Sequence, residues 1–438
     1  MKNALKSLFY IIILKIRFYN WSKQRIKRHQ EKRLNKLIAL LKRKSIYYRD
    51  ILKDNDNFEK LPVIDKKVFM DNFDNINTAG LKKDILLDFS IKQQRSNSIG
   101  LFNENYSIGL SSGTSGNVTL TVLSKSEREL YPTLLLARSN IISYVKKPRV
   151  LFLLRRNNAA FMEVKKFGIY ISYADYTVNV DKLIYEINDK KINVIAGPPS
   201  LLYMISKKID EIVVKPKLLI SYAEVLSEKV KNTLVDSFGS KLIEIYQGAE
   251  GFLAATCKEG SLHLNEDTTF FEFENIDKEN ENLKRVLVTD LYRTCAPFVR
   301  YSLHDVMELD DKKCKCGSNF QIIKKIHGRE DDIFILKSND GKERYLFPDY
   351  VRRSINQASE YILEFQAIQH INGSITIRLV TVNNQVSRDI ENKIIENINF
   401  WVNKIKAITP EINYIYEGPI RNKNSNKLIR VMRENENN

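Results

Sequence analysis

The stretch Ile108–Val122, IGLSSGTSGNVTLTV, holds three glycines and six Ser or Thr side chains between two apolar runs. Glycines let a backbone approach a ligand closely, and successive N–H groups in a turn form a concavity for anions. Gly109-Leu-Ser111-Ser-Gly113 has the spacing of a hydrolase nucleophile elbow, but an elbow needs a helix directly after the serine. Here NVTLTVL is β-branched and reads as strand, and no downstream Asp and His offer a triad. The spacing of a nucleoside-triphosphate P-loop is absent as well. Two readings remain. Either the backbone and the hydroxyls of Ser111, Ser112, Thr114 and Ser115 donate to phosphate oxygens, or the stretch is a solvated hairpin loop.

A second group of residues suits a metal. Cys314 and Cys316 stand two apart in CKCG, and Cys257 and His263 lie on the arms of a turn at Gly260 in CKEGSLH. Three thiols and one imidazole are a normal tetrahedral zinc shell. The spacing alone leaves open that these are four separate residues. Cys295 is left over and reads as an unpaired buried thiol.

With 438 residues the chain has room for two or three domains. The net charge is +17, but fifteen Lys or Arg stand against only Glu31 and Asp50 in the first 50 residues. The body is thus nearly neutral, which argues against a nucleic-acid partner, and no nucleic-acid motif is present. Ser22–Leu52 reads as one basic helix with Leu34, Leu37, Ile38 and Leu41 on one face. The preferred reading packs that helix on the body with its lysines in solvent; the other lays it on an anionic membrane surface. Before it, Ser7–Leu14 is the longest uncharged run and is far short of the roughly 20 residues needed to span a bilayer. Four cysteines exclude a disulfide scaffold and make the cytosol the default compartment, with membrane association as the alternative.

From Tyr106 to Leu309, strand patterns such as RVLFLL, INVIAG and KLLISY alternate with helical ones, which predicts a layered α/β domain. After Gly328 the pattern becomes strand, turn, strand, then a hairpin through Asn372–Gly373, a dipeptide suited to a type I′ turn. A helix over Asp389–Ile408 and a final strand in EINYIYE follow. The expected organisation is a basic helical extension at 1–52, a large layered α/β domain at 53–328 and a small α+β domain at 329–438.

The loop SSGTSG is followed in order by YQGAEG (Tyr246–Gly251), VRYSLHD (Val299–Asp305), GREDD (Gly328–Asp332) and a late NSNKLIRV. Their order and spacing resemble the adenylate-forming superfamily, which activates carboxylates as acyl-AMP. Within it the chain is most similar to the phenylacetate–CoA ligase family, and closer still to the branch named for coenzyme-F adenylating synthetases. The resemblance implies a large adenylation domain with a small mobile lid. It implies ATP binding by Ser111, Ser112, Gly113, Thr114, Ser115 and Gly116. Tyr246 stacks on adenine in this reading, Gln247 and Gly248 line the nucleotide pocket, and Ser221–Glu224 meets adenine and the acyl group. Asp305 takes the ribose hydroxyls and Arg329 adds a cation beside them. Glu250 holds Mg²⁺, Asp331 sits at the hinge, and Lys427 is the catalytic cation.

Relatives of the loop commonly carry Lys where this chain has Asn117, so pyrophosphate would rest on neutral donors and Mg²⁺. The family's comparable Cys/His arrangement turns Cys257, His263, Cys314 and Cys316 towards structural zinc. The implied partners are a small carboxylic acid and then a thiol, either CoA or a carrier protein. Two alternatives keep the fold: nucleotidyl transfer to a hydroxyl of a cofactor, or a non-catalytic membrane-surface or scaffold relative.

Overall fold

The computed structural model describes residues 2–53, 57–95, 100–110, 119–154, 168–174, 179–276, 282–359, 361–382, 387–420 and 429–434. The chain opens with helices α1 (Lys2–Asn20), α2 (Lys23–Lys44) and α3 (Ile46–Ile51). The single helix expected over Ser22–Leu52 is thus broken at Ser45. That residue is extended, its hydroxyl accepts the Tyr48 N–H to cap α3, and it donates to Asn75 O at 3.0 Å. A Ser prefers such a cap because its short side chain satisfies an orphan helix N–H. Ile26, Leu34, Leu37, Ile38 and Leu41 of α2 are buried against the body.

Short helices α4 (Lys66–Asp71), α5 (Phe73–Ile76) and α6 (Lys83–Arg95) follow, with Asp65 capping α4 as its position predicts. Strands β1 (Ser107–Leu110) and β2 (Leu120–Leu123) form an antiparallel hairpin around the Gly-rich stretch. Next come α7 (Lys125–Ser139), α8 (Ile141–Tyr144), β3 (Arg149–Leu153), β4 (Tyr170–Ala174), α9 (Val180–Asp189), β5 (Val194–Gly197), α10 (Pro199–Ser206), β6 (Leu218–Ser221) and α11 (Glu228–Phe238). The antiparallel run is β7 (Lys241–Gly248), β8 (Gly251–Thr256), β9 (Leu262–Leu264), β10 (Thr269–Asn275), β11 (Leu283–Asp290), β12 (Tyr301–Asp310) and β13 (Ile322–Arg329).

These strands make one eleven-stranded sheet in the order β10-β11-β12-β13-β9-β8-β7-β6-β5-β3-β4. Neighbours from β4 to β7 run parallel, and from β7 onwards they run antiparallel. The parallel strands are covered on both faces, so β5 and β6 are buried along their whole length. Period-two alternation sorts their side chains. Val150 and Phe152 of β3 join a core with Ile11 and Leu14 of α1 and Leu134–Leu136 of α7. Leu151 and Leu153 join the opposite core with α9, α10 and α11.

The remaining residues form β14 (Phe334–Lys337), β15 (Glu343–Leu346), α12 (Pro348–Asn356), β16 (Ile362–Gln369), β17 (Ile375–Thr381), α13 (Arg388–Lys404), β18 (Ile412–Ile415) and β19 (Val431–Arg433). The last four strands pair as β18-β17-β16-β19 and share a core with α12 and α13. Two expectations are corrected here. The strand in EINYIYE is not the last, because Val431–Arg433 adds in parallel beside β16. The β16–β17 turn is not type I′: His370 N–H bonds Ser374 O at 2.8 Å and closes a three-residue loop. Only Gly373 takes a left-handed φ, +88°, while Asn372 does not. Its Oδ1 instead accepts the Ser374 N–H at 3.0 Å.

Candidate active site and metal centre

The β7–β8 turn lies where the sheet changes from parallel to antiparallel pairing. Open α/β sheets bind ligands beyond the carboxyl ends of their strands. Glu224, which follows β6, Ser200, which follows β5, and Gly248–Glu250, which follow β7, all stand at those ends. Ser200 Oγ donates to Glu224 at 2.9 Å and its N–H at 3.2 Å, so the first turn of α10 holds that carboxylate. The Tyr131 hydroxyl of α7 donates to Gln247 Oε1. A Cβ at Gly248 would displace the Glu250 carboxylate from its present place, because it would meet Glu250 Oε2. Arg293 Nη1 donates to Ala249 O at 2.7 Å and fixes the turn from the other side.

Asp305 and Arg329 are direct partners in the β12–β13 register. The pairing of β12 with β11 advances two residues on β11 and four on β12 between Leu287–Ser302 and Arg285–Val306. His304 sits inside this bulge at φ +55°. A bulge of this kind re-aims the side chains it carries. Asp305 thereby accepts the hydroxyl of Tyr246, which lies on β7 and is not a neighbouring strand. Arg329 Nε stands 4.0 Å from Asp305 Oδ1, with its side chain 46% exposed.

Burial pushes the Glu250 carboxyl above its usual range; Asp305 adds to that, while Arg329 and Arg293 oppose it. Burial and the Asp305 charge likewise hold the Tyr246 phenol far from ionising. The cleft therefore presents two close carboxyl groups, an exposed guanidinium and an aromatic ring. A phosphate ester with a ribose and a divalent cation would satisfy all of them.

Of the sequence-predicted residues, Tyr246, Asp305, Arg329 and Glu250 converge, with Gln247 and Gly248 beside them. Glu224 is held separately by Ser200. Ser111, Ser112, Gly113, Thr114, Ser115, Gly116, Asn117 and Lys427 lie outside the described residues, and so does the side chain of Asp331. The backbone of Asp331 falls in a 3-10 turn, Glu330–Asp332, directly after β13. Glu330 in that turn is paired with Arg285 of β11, whose Nε donates to it at 2.7 Å. Tyr131, Ser200 and Arg293 carry no local motif. They meet the site across 116, 24 and 44 residues, so only the fold reveals them.

The Cys257, His263, Cys314 and Cys316 donor atoms lie within 4.8 Å of one another. Cys257 Sγ is 3.7 Å from Cys314 Sγ, and Cys316 Sγ is 3.6 Å from His263 Nε2. A tetrahedral zinc sets sulfurs about 3.8 Å apart and a sulfur–nitrogen pair about 3.6 Å apart, from its bond lengths. The set therefore fits such an ion. His263 Nδ1 bonds Phe320 O at 2.8 Å, which leaves Nε2 for a metal. Burial lowers the His263 pKa and keeps the ring neutral. The Cys316 and Ser318 N–H groups point at Cys314 Sγ and Cys316 Sγ, at 3.5 and 3.3 Å. The turn between the first pair closes through Cys257 N–H to Ser261 O at 2.8 Å, with Gly260 at φ +87°.

Comparison with solved structures places this architecture. 2-Hydroxyisobutyryl-CoA ligase, in its postadenylation state with R3-HIB-AMP, superposes over 96% of this chain and 92% of its own, with TM-score 0.68 at 14% identity. This chain has the adenylate-forming fold. The same ligase in its thioesterification state, with 2-HIB-AMP and CoA, gives TM-score 0.53 at 15% identity over 96% and 92% of the two chains. The o-succinylbenzoate-CoA synthetase of Bacillus subtilis, in complex with OSB-AMP, matches 74% of this chain and 67% of its own, with TM-score 0.53 at 14% identity. Protein CapK of Staphylococcus aureus is 23% identical over 394 residues, covering 85% of this chain and 82% of CapK. No family model matches the chain. The resemblance expected from the motif order is borne out at the level of this fold.

Proposed function

We propose that this protein activates a carboxylic acid with ATP as acyl- or aryl-AMP and passes the acyl group to a thiol, CoA or a carrier protein. The observation that carries the reading is the Tyr246–Asp305–Arg329–Glu250 constellation at the carboxyl ends of the parallel strands. The solved relatives of this fold hold an acyl-AMP.

In this reading a carboxylate oxygen attacks the α-phosphorus, the new O–P bond forms, and the bond to pyrophosphate breaks with its electrons leaving on the pyrophosphate. Asp305 accepts the ribose hydroxyls, positioned by the Tyr246 hydroxyl. Arg329 offsets the phosphate charge from the rim, and Ser200 orients Glu224 towards the adenine side. Residues 111–116 donate to the leaving phosphates, and Lys427 supplies the cation at the α-phosphate. Loss of such a preorganised donor costs about 3 kcal/mol or more in the transition state. Glu250 would hold Mg²⁺, whose chemistry is to neutralise the charge gathering on the phosphoryl oxygens.

Cys257, His263, Cys314 and Cys316 would hold a structural zinc, because four protein ligands leave no open position for chemistry. A lid rotating about Gly328–Asp332 between half-reactions belongs to this reading, since the solved 2-hydroxyisobutyryl-CoA ligase is seen in both a postadenylation and a thioesterification state.

Carboxylate-dependent ATP–pyrophosphate exchange over a broad acid panel tests the proposal. Exchange with at least one acid supports it. Its absence with folded, ATP-binding protein defeats it, and an adenylate that stays attached to a hydroxyl acceptor would assign nucleotidyl transfer instead.

A further inference from the structure

Helix α1 is apolar on two sides. Ile11, Leu14 and Phe18 are buried, and Arg138 clamps the helix by donating to Leu14 O at 2.6 Å and stacking its guanidinium 4.7 Å from the Phe18 ring. The opposite side is uncovered among the described residues. Leu8, Phe9, Ile12 and Ile16 are 52, 64, 50 and 48% exposed. Their spacing places them within an arc of about 100° on one helix face. A surface helix normally turns polar groups outward, so four large apolar side chains in one stripe mark a contact surface.

Helix α2 lies beside it on the same patch of the body. Asp267 bonds Arg138 under α1 and accepts His29 of α2 at its backbone carbonyl, at 3.0 Å. The Tyr292 hydroxyl accepts Arg17 of α1 at 2.9 Å, and the Arg33 guanidinium of α2 stacks over its ring. Both helices are therefore seated on one side, with their outer faces turned away from the body. The outer face of α2 is basic: Arg25, Arg28, Lys32 and Lys36 are all exposed and lie within an arc of about 80° opposite the buried Ile26, Leu34 and Leu41, and Glu31 is the one acid of the helix.

We propose that the outer faces of α1 and α2 form a docking surface for a bilayer carrying anionic phospholipid. The apolar stripe would enter the headgroup–acyl boundary while the lysines and arginines pair with lipid phosphates. Charge selects this occupant. A second copy would bring an equally basic face against the first, and a nucleic acid offers no apolar layer for Phe9 and Ile12. Neither helix crosses the membrane, since no helix of the described residues is long and apolar enough. The surface is separate from the nucleotide cleft and does not depend on the activity proposed above.

The test is co-sedimentation of the full chain with vesicles of phosphatidylcholine alone, or of phosphatidylcholine and phosphatidylglycerol in equal parts. The wild type should bind the mixed vesicles about tenfold more tightly, and high salt should weaken that binding. Phe9→Glu with Ile12→Glu should lower binding about tenfold or more. Arg28→Glu with Lys32→Glu, on the solvent side of α2, should lower it and flatten its salt dependence. Circular dichroism and melting temperature verify folding, and the α2 pair keeps the test decisive if the α1 pair misfolds. Failure of the wild type to bind mixed vesicles overturns the proposal. Undiminished binding by the folded variants does the same. A wild-type dimer that Phe9→Glu with Ile12→Glu makes monomeric, without lipid binding, would assign the face to a protein contact.

Discussion

The Tyr246–Asp305 cluster and the Cys/His centre are built on the same sheet by opposite rules. In the first, Tyr246, Glu250, Asp305 and Arg329 come from three strands and a turn, and the Arg329 side chain is half-exposed. Asp305 there takes the Tyr246 hydroxyl and stands beside Arg329, and burial raises the Glu250 carboxyl. In the Cys/His centre, two short turns bring four donors within 4.8 Å, and backbone N–H groups satisfy the sulfurs. Phe18, Trp21 and Ile26 then seal it from outside. A cluster of ionisable groups at the ends of the parallel strands is suited to a charged ligand; four donors held around one point are suited to holding the chain together.

Three measurements sharpen or break that contrast. Asp305→Ala should lower acid-dependent exchange about 100-fold or more, with little change in melting temperature or metal content. A large fall in melting temperature would instead make Asp305 a structural residue. Cys316→Ser should do the reverse. Bound zinc, read by atomic absorption, should be lost and melting should fall by several degrees. Protease sensitivity should rise around residues 18–26, because Phe18, Trp21 and Ile26 pack on Cys257, Cys316 and Phe320. Unchanged melting and an intact N-terminal segment would refute a structural metal.

The smallest effect concerns Glu244, a carboxyl on β7 outside both sites, which burial pushes up to about 7 from the usual carboxylate value. Its folded form favours the proton. The destabilisation therefore builds as pH rises above the unfolded value near 4.5 and levels off once the folded carboxyl has ionised above about 7. Glu244→Gln should raise melting temperature by about 2–4 °C at pH 8 and leave it unchanged near pH 4.5. An equal gain at both pH values would show that packing, not charge, is responsible.

Much of this was legible in the residues. The strands in RVLFLL, INVIAG and KLLISY are where their apolar runs put them, because buried parallel strands need no polar face. The Asp65 cap and the Gly260 turn were readable too, since both are short-range hydrogen-bond chemistry. The break at Ser45 was not, because the apolar pattern continues through it. The final strand β19 was missed because three residues carry too little pattern, and only β16 beside them makes them a strand. Asn372–Gly373 suggested a two-residue turn, but the strand register left three residues to close.

By itself the sequence determined the alternation of elements, the order of the five motifs and the concentration of the net positive excess in the first fifty residues. These are properties of composition and local spacing, and they survive any packing. Only the tertiary structure decided that Asp305 reaches Tyr246, that Arg293 and Tyr131 hold the β7–β8 turn, and that Cys257 and His263 share one point with the distant Cys314 and Cys316. It alone decided which side of α1 is covered. A helix with two apolar sides has no preferred face until the body buries one, and here the body buries Ile11, Leu14 and Phe18 and leaves Phe9 and Ile12 outside.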